Sequence, residues 1–340
     1  MFFMRYIGSK AKLIGEIESF VLGKVTPNGQ QKFLDLFSGT GVVAKNFKKY
    51  FEVITNDSLY FSYILSQGHV TPNTPPDFKT LYQLGIKDPL DYLNSLDGKP
   101  GFISENYSSY DAGRMYLSPK NAKKIDEIRQ ILNNWFDNRV LNRLEFEYLL
   151  ATLVEAVPYV SNITGTYGAY LKYWDNRALK DIKLEHPILF NNDKNNVAFN
   201  EKAENITNSI FADVCYIDPP YNSRQYTSNY HLLETIAKYD NPKINGLTGI
   251  RNFDRDEKSD FCKKTKVYDV FKKVLNQVNC KHLFVSYSVD GLLNKEQIEE
   301  IILSVGKPKS YDFKEISHRL YKSKVVLKPK VIEYLFYIQK

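Results

Sequence analysis

The amino-acid sequence predicts an α/β protein: a largely parallel sheet interrupted by a mainly helical insertion. Three observations carry that expectation. "QKFLDLF" (31–37) and "FEVITND" (51–57) are short apolar runs with a helical pattern between them, a strand–helix–strand unit. Strand candidates return at 213–217, 282–287 and 331–338, each apolar and rich in β-branched or aromatic residues. From 57 to 213 the alternation disappears, and two helical patterns take its place.

Taken in order, "LDLFSGTGVVA" (34–44) sets Gly39 and Gly41 where the first strand turns into a helix. Glycine allows a tight turn there and lets a ligand approach the main chain. Gly39, Gly41 and Ala44 satisfy G-x-G-x-x-[GA], and Asp57 closes the next strand, where a carboxylate accepts from ribose hydroxyls. The loop predicts an adenosine cofactor and leaves NAD and S-adenosylmethionine both open. Residues 71–100, rich in Pro, Asn, Asp and Gly, read as loop with a short helix. "SPKNAKKIDEIRQILNNWF" opens with Ser118 as N-cap and Pro119 at the first helical position, with apolar residues 125, 128, 132 and 135 on one face. Residues 143–157 read as a second, more buried helix. The expected division is therefore 1–67 with 200–340 as one domain and 68–199 as the insertion.

The 340 residues are 43% hydrophobic and 25% charged, ordinary for a globular chain with a sizeable core. A net charge of +7 favours a polyanionic partner. The insertion holds 15 basic and 16 acidic residues, so the excess lies in the flanking segments. Its densest patch is Arg319, Lys322, Lys324, Lys328 and Lys330. Cys215, Cys262 and Cys280 lack a CxxC spacing and the five histidines lack a ligand pattern, so no metal is expected. The absence of an 18-residue apolar stretch and of a signal peptide predicts no membrane partner and a reducing cytoplasm.

"VCYIDPPYNSRQY" (214–226) ends a core strand on Asp218, and Pro219-Pro220 forbid both helix and ladder beyond it. Such a stretch is either a strand cap with a turn or a reaction centre. Three separated segments favour the second. "RYIGSKAKL" (5–13), "DLFSGTG" and "DPPY" occur in that order, with an insertion between the last two. Together they resemble the DPPY-type, group alpha, site-specific DNA adenine-N6 methyltransferases, and "NSRQY" and "NYHLLETIA" are most similar to the restriction–modification members.

The resemblance implies a Rossmann-like S-adenosylmethionine-dependent methyltransferase sheet with an inserted target-recognition region. It implies that Tyr6 packs near the cofactor, that Lys10 meets its carboxylate end, and that Phe37, Ser38, Gly39, Thr40 and Gly41 wrap its methionine portion. Asp57 would hold the ribose, and Asp218 would adjoin the methyl donor. An acidic residue that contacts the adenine in this group is replaced by "FNEKAENI", with Lys202 near the place and Glu201 and Glu204 beside it.

The 6-amino group of adenine is a poor nucleophile because its lone pair is delocalised into the ring. Two acceptors, the Asp218 carboxylate and the Pro219 carbonyl, draw it toward tetrahedral geometry, while Pro220 stiffens the turn and Tyr221 stacks on the extruded base. His231 is a general-base candidate that this chemistry does not need. The insertion is expected to read double-stranded DNA through 106–116 and 161–177, with Arg114, Lys172 and Arg177 as contacts; Tyr226, Asn229 and Tyr230 read as a helix start from which one residue lines the DNA cleft. A cognate restriction endonuclease is the implied system partner, in a bacterial or phage-infected cell. Methylation of RNA adenine or of the cytosine 4-amino group, an NAD-dependent oxidoreductase, and a silent nucleic-acid-binding relative are the alternatives. For the oxidoreductase no hydride-transfer site is evident.

Overall fold

The structure, a computed structural model, describes residue 6 and residues 8–318 and 331–340. The basic patch at Arg319, Lys322, Lys324, Lys328 and Lys330 lies outside the described residues. The chain divides into two compact units: a sheet unit of Ser9–Ser58, Asn192–Gln225 and Asp256–Lys340, and a helical unit of Met1–Gly8, Leu59–Asn191 and Tyr226–Arg255.

The strands among the described residues are β1 (Lys32–Asp35), β2 (Glu52–Asn56), β3 (Val197–Phe199), β4 (Phe211–Ile217), β5 (Ile244–Asn245), β6 (Ile250–Arg251), β7 (Asn279–Ser288), β8 (Asp312–His318) and β9 (Val331–Gln339). Seven of them form the sheet of the sheet unit, in the order β3-β2-β1-β4-β7-β9-β8. The first five are mutually parallel, and β9 is reversed between β7 and β8. Period-two alternation sends Phe33, Val214, Tyr216 and Phe284 to one face and Leu34, Cys215, Ile217 and Val285 to the other. Helices Ile14–Leu22 and Val42–Phe47 pack on the first face, Val267–Gln277 and Lys295–Val305 on the second. Cover on both faces is why these strands read as unbroken apolar runs. Emptying one such position, as in Phe33→Ala, would cost about 3–5 kcal/mol.

β1 has β2 on one side and β4 on the other. The chain's winding reverses there, and such a switch point opens a crevice at the carboxyl ends of the strands. The expectation that strands vanish between 57 and 213 is corrected by β3, which pairs in parallel with β2 through Ile54 and Val197. Three residues on a partly exposed edge carry too little pattern to read.

In the helical unit, Ser118 caps Pro119–Asp137 by accepting from the Asn121 amide at 3.3 Å, and Ile125, Ile128, Leu132 and Trp135 are all buried. Helix Arg143–Ala156 opens on a reciprocal Asn142–Glu145 capping box. It lies so close to helix Tyr60–His69 that a Cβ on Gly68 would sit 2.2 Å from that of Ala151. Residues 226–255, expected within the other domain, belong to this unit. The reason is local: Glu234, on helix His231–Lys238, accepts from the Tyr60 and Phe61 amides at 3.2 and 3.0 Å. A carboxylate there answers the orphan N–H groups and the positive end of the helix dipole.

Candidate active site

The loop after β1 is shaped by main-chain bonds. Gly39 and Gly41 take φ of 52° and 73°, the left-handed region that favours glycine. The Ser38 amide donates to the Asn56 carbonyl at 2.9 Å, and the Gly39 amide donates to Asp57 Oδ2 at 2.9 Å. The loop leaving β1 is thereby tied to the end of β2, with Thr40 between the two glycines and Phe37 edge-on to Phe261 at 5.1 Å. Beneath it Asp35, fully buried at the end of β1, accepts from the Ala44 amide at 3.2 Å. Burial, and next the neighbouring charge of Asp218, push its carboxyl up to about 8. Of the uncertain stretch after β3, Glu201 exchanges bonds with the Asn56 side chain through its backbone, and Lys202 precedes a short helix Ala203–Ile206.

β4 runs beside β1 with Tyr216 opposite Asp35, so Asp218 emerges next to the glycine loop on the same edge. Lys10, in the short 3₁₀ turn Lys10–Lys12, is buried with its Nζ 3.0 Å from Asp218 Oδ1 and 2.7 Å from Glu333 Oε1. Its Nζ also stands 5.5 Å from the centre of the Tyr221 ring. Tyr221 is fixed by an edge contact to Tyr287 at 6.1 Å and by the Leu292 amide, which donates to its carbonyl at 2.9 Å. Burial pushes the Asp218 carboxyl up to about 7, against the pull of Lys10 and with the push of Glu333. The same two carboxylates hold the Lys10 ammonium well above its ordinary range despite the opposing effect of burial. Apart from its ion pair with Lys10, Asp218 Oδ1 accepts no hydrogen bond among the described residues.

Sequence reasoning missed Asp35 and Glu333 as members of this cluster. The one signal for Glu333 was its standing as the lone charge in "VIEYLFYI" (331–338).

The helical unit holds the remaining candidates. Tyr6 stacks on Tyr230 with ring centres 4.5 Å apart, flanked by Tyr226 at 5.8 Å and Phe61 at 6.4 Å. Tyr230 is fully buried, and Asn229 is 6% exposed with its carbonyl accepting from the Tyr167 amide. His231 Nε2 donates to the Tyr167 carbonyl at 2.8 Å, and burial lowers its imidazole to about 4, so it is a neutral core group. Arg177 donates to the carbonyls of Ser161 and Ile163. Lys172 is exposed.

Arg114 is likewise engaged with backbone, at the hairpin joining β5 and β6. It donates to the carbonyls of Leu247 at 3.0 Å, Asn106 at 3.0 Å and Gly246 at 3.4 Å. Tyr107 donates to the Gly249 carbonyl at 2.9 Å, and the Tyr116 hydroxyl is shared between Thr248 at 3.0 Å and Tyr167 at 2.7 Å. Leu247 at the tip is 90% exposed. Among the described residues no helix is long and apolar enough to cross a membrane.

A glycine-shaped loop after β1 and an Asp-Pro-Pro-Tyr turn after β4, at the switch point of a Rossmann-like sheet, define the methyltransferase class of α/β proteins. Within it the chain belongs to the D12 class N6 adenine-specific DNA methyltransferase family, whose model it matches over residues 6–301. It is 47% identical over 342 residues to the Type II methyltransferase M.FokI of Planomicrobium okeanokoites, covering 99% of this chain and 53% of that protein. To the modification methylase StsI of Streptococcus sanguinis it is 43% identical over 341 residues, 99% and 52% of the two. The chain thus spans about half the length of these curated relatives. The Type II methyltransferase M.NlaIII of Neisseria lactamica, 34% identical over 323 residues, is covered nearly end to end, at 94% of this chain and 93% of that one.

Proposed function

We propose that the chain transfers a methyl group from S-adenosylmethionine to the 6-amino group of an adenine flipped out of double-stranded DNA, as the modification enzyme of a restriction–modification system and a member of the group alpha DPPY type. The observation that carries this reading is Asp218: a partly buried carboxylate whose Oδ1 meets only the Lys10 ammonium among the described residues, set beside the rigid Pro219 carbonyl and the Tyr221 ring. Those three groups match the two acceptors and the stacking face that an adenine amine requires.

The donor set fits the cofactor. Left-handed Gly39 and Gly41 give main-chain approach, Phe37, Ser38 and Thr40 line the same loop, and Asp57 stands at the ribose position after β2. Lys10 completes the set of the sheet unit, its buried ammonium beside Asp218 suited to a carboxylate end of the cofactor. When bound, the cofactor supplies a methyl already activated on a sulfonium. Asp218 and Pro219 orient the amine, Pro220 limits the turn's freedom, and Tyr221 holds the ring by stacking that contributes roughly 1–3 kcal/mol. Alignment of nitrogen and methyl in a dry, preorganised site supplies the acceleration. Residues 68–199 read the DNA, with exposed Lys172 and half-buried Tyr226 the remaining candidate contacts. A cognate endonuclease acts beside it in the cytoplasm.

The test is transfer of labelled methyl from S-adenosylmethionine to a duplex library, with hydrolysis of the DNA and identification of the methylated base. 6-Methyladenine at a fixed sequence is expected. Label in 4-methylcytosine, in RNA alone, or nowhere, while the cofactor still binds, would defeat the assignment.

A further inference from the structure

Glu333 lies on the reversed strand β9, opposite Ser288 at the end of β7. A reversed strand starts where its parallel neighbours finish, so β9 delivers Glu333 to the edge from which Asp218 leaves β4. Its Oε1 accepts from Lys10 Nζ at 2.7 Å and from Ser286 Oγ at 2.7 Å. Lys10 Nζ also stands 3.0 Å from Asp218 Oδ1, and apart from that ion pair the oxygen accepts no hydrogen bond among the described residues. The ammonium is thus shared between the two carboxylates and stands closer to Glu333. Lys10 and Glu333 are both buried, where a one-to-one lysine–carboxylate pair would be strong.

We propose that Glu333 is a positioning residue for methyl transfer: it holds the Lys10 ammonium in a shared position, so that Lys10 does not commit wholly to Asp218 and the catalytic carboxylate keeps a lone pair for the adenine amine. The proposal rests on the reading given above. Without Glu333, Lys10 would align on Asp218 and occupy the acceptor that the substrate needs. The groups facing Asp218 are Lys10 from the 3₁₀ turn, Glu333 from β9, Tyr216 on β4, Tyr221 in its own turn and Asp35 from β1. Of these Lys10 favours the ionised carboxylate and Glu333 opposes it, and burial sets the carboxyl at about 7. Glu333 thus does two things at once: it leaves the oxygen a lone pair, and it raises the pH at which that oxygen ionises.

Glu333→Gln keeps the side chain's shape and removes its charge. In steady-state methylation against pH, the acid limb of kcat is expected to move to lower pH. On the alkaline plateau kcat falls about tenfold, the scale of one hydrogen bond, while KM for DNA stays within about twofold. Glu333→Asp restores the wild-type limb. Lys10→Gln, which removes the opposing charge, moves the limb to higher pH and serves if Glu333→Gln does not fold. A carboxyl-carbon NMR titration of Asp218 reads both shifts without turnover. A limb that stays in place in Glu333→Gln, with rates lowered equally at every pH, would overturn the proposal and leave Glu333 as a fold-holding partner. Wild-type protein that methylates no duplex adenine would instead defeat the reading above, and the NMR titration would still decide this one.

Discussion

Buried polar groups are answered differently in the two units. In the helical unit Glu234 receives two main-chain amides, His231 gives its proton to a carbonyl and stays neutral, and Arg114 and Arg177 donate to carbonyl oxygens. In the sheet unit the buried Asp35 and the partly buried Asp218 have their carboxyls pushed up to about 8 and about 7, and Asp218 Oδ1 meets only the Lys10 ammonium among the described residues. The first pattern serves folding; the second opposes it. Buried atoms without a hydrogen bond occur in both units, Arg129 Nε and Glu147 Oε2 among those of the helical one, but two raised carboxyls stand side by side at the carboxyl edge of β1 and β4.

The sharpest way to break the contrast is Asp218→Ala. Methyl transfer is expected to drop about a thousandfold or more, while cofactor affinity by calorimetry changes about threefold at most. Unimpaired transfer would make the Asp218 carboxylate incidental.

The next effect is on stability. Asp35 and Asp218 hold their protons more tightly in the fold than at the ordinary value of 3.8, so the native state carries the extra protons as pH rises from there. Stability therefore falls between about 4 and about 8. Calorimetric Tm should be higher at about pH 5.5 than at about pH 8. Asp218→Asn should raise Tm at about pH 8 by roughly 5 °C and flatten the slope. An unchanged Tm in that variant would remove the energetic half of the contrast.

The smallest effect belongs to the helical unit. Arg114→Ala removes three carbonyl bonds, and hydrogen exchange of the hairpin amides should quicken about tenfold with little change in the rest of the unit. Leu247→Ser should leave exchange as it was and global stability within about 0.5 kcal/mol. Exchange that ignores Arg114 would mean that the hairpin holds itself.

Much of this was legible in the residues, for physical reasons. The strands around the switch point are covered on both faces, so their apolar runs announce them, and Ser118-Pro119 marks its helix because an N-cap and a missing N–H suit that one place. β8, "DFKEISH", went unread because its charged edge carries no apolar run. Residues 226–255 were assigned by sequence neighbourhood, whereas the amides of residues 60 and 61 decide where they pack. In the site, Asp218 and the glycine loop are local motifs. The Lys10–Glu333 bond joins residues 323 positions apart, and no local pattern encodes such a pairing.

The hairpin between β5 and β6 has one more consequence. The carbonyls of Gly246, Leu247, Thr248 and Gly249 all receive protons from Arg114, Tyr107 and Tyr116, residues that belong to another part of the chain. The tip's form is therefore held from outside as well as by its own Gly249-to-Gly246 bond, and the exposed Leu247 side chain stands clear of both. That makes position 247 an interchangeable bit in a fixed holder. A library randomised there would yield proteins of one backbone and many surfaces, differing only in what the tip offers to whatever it meets.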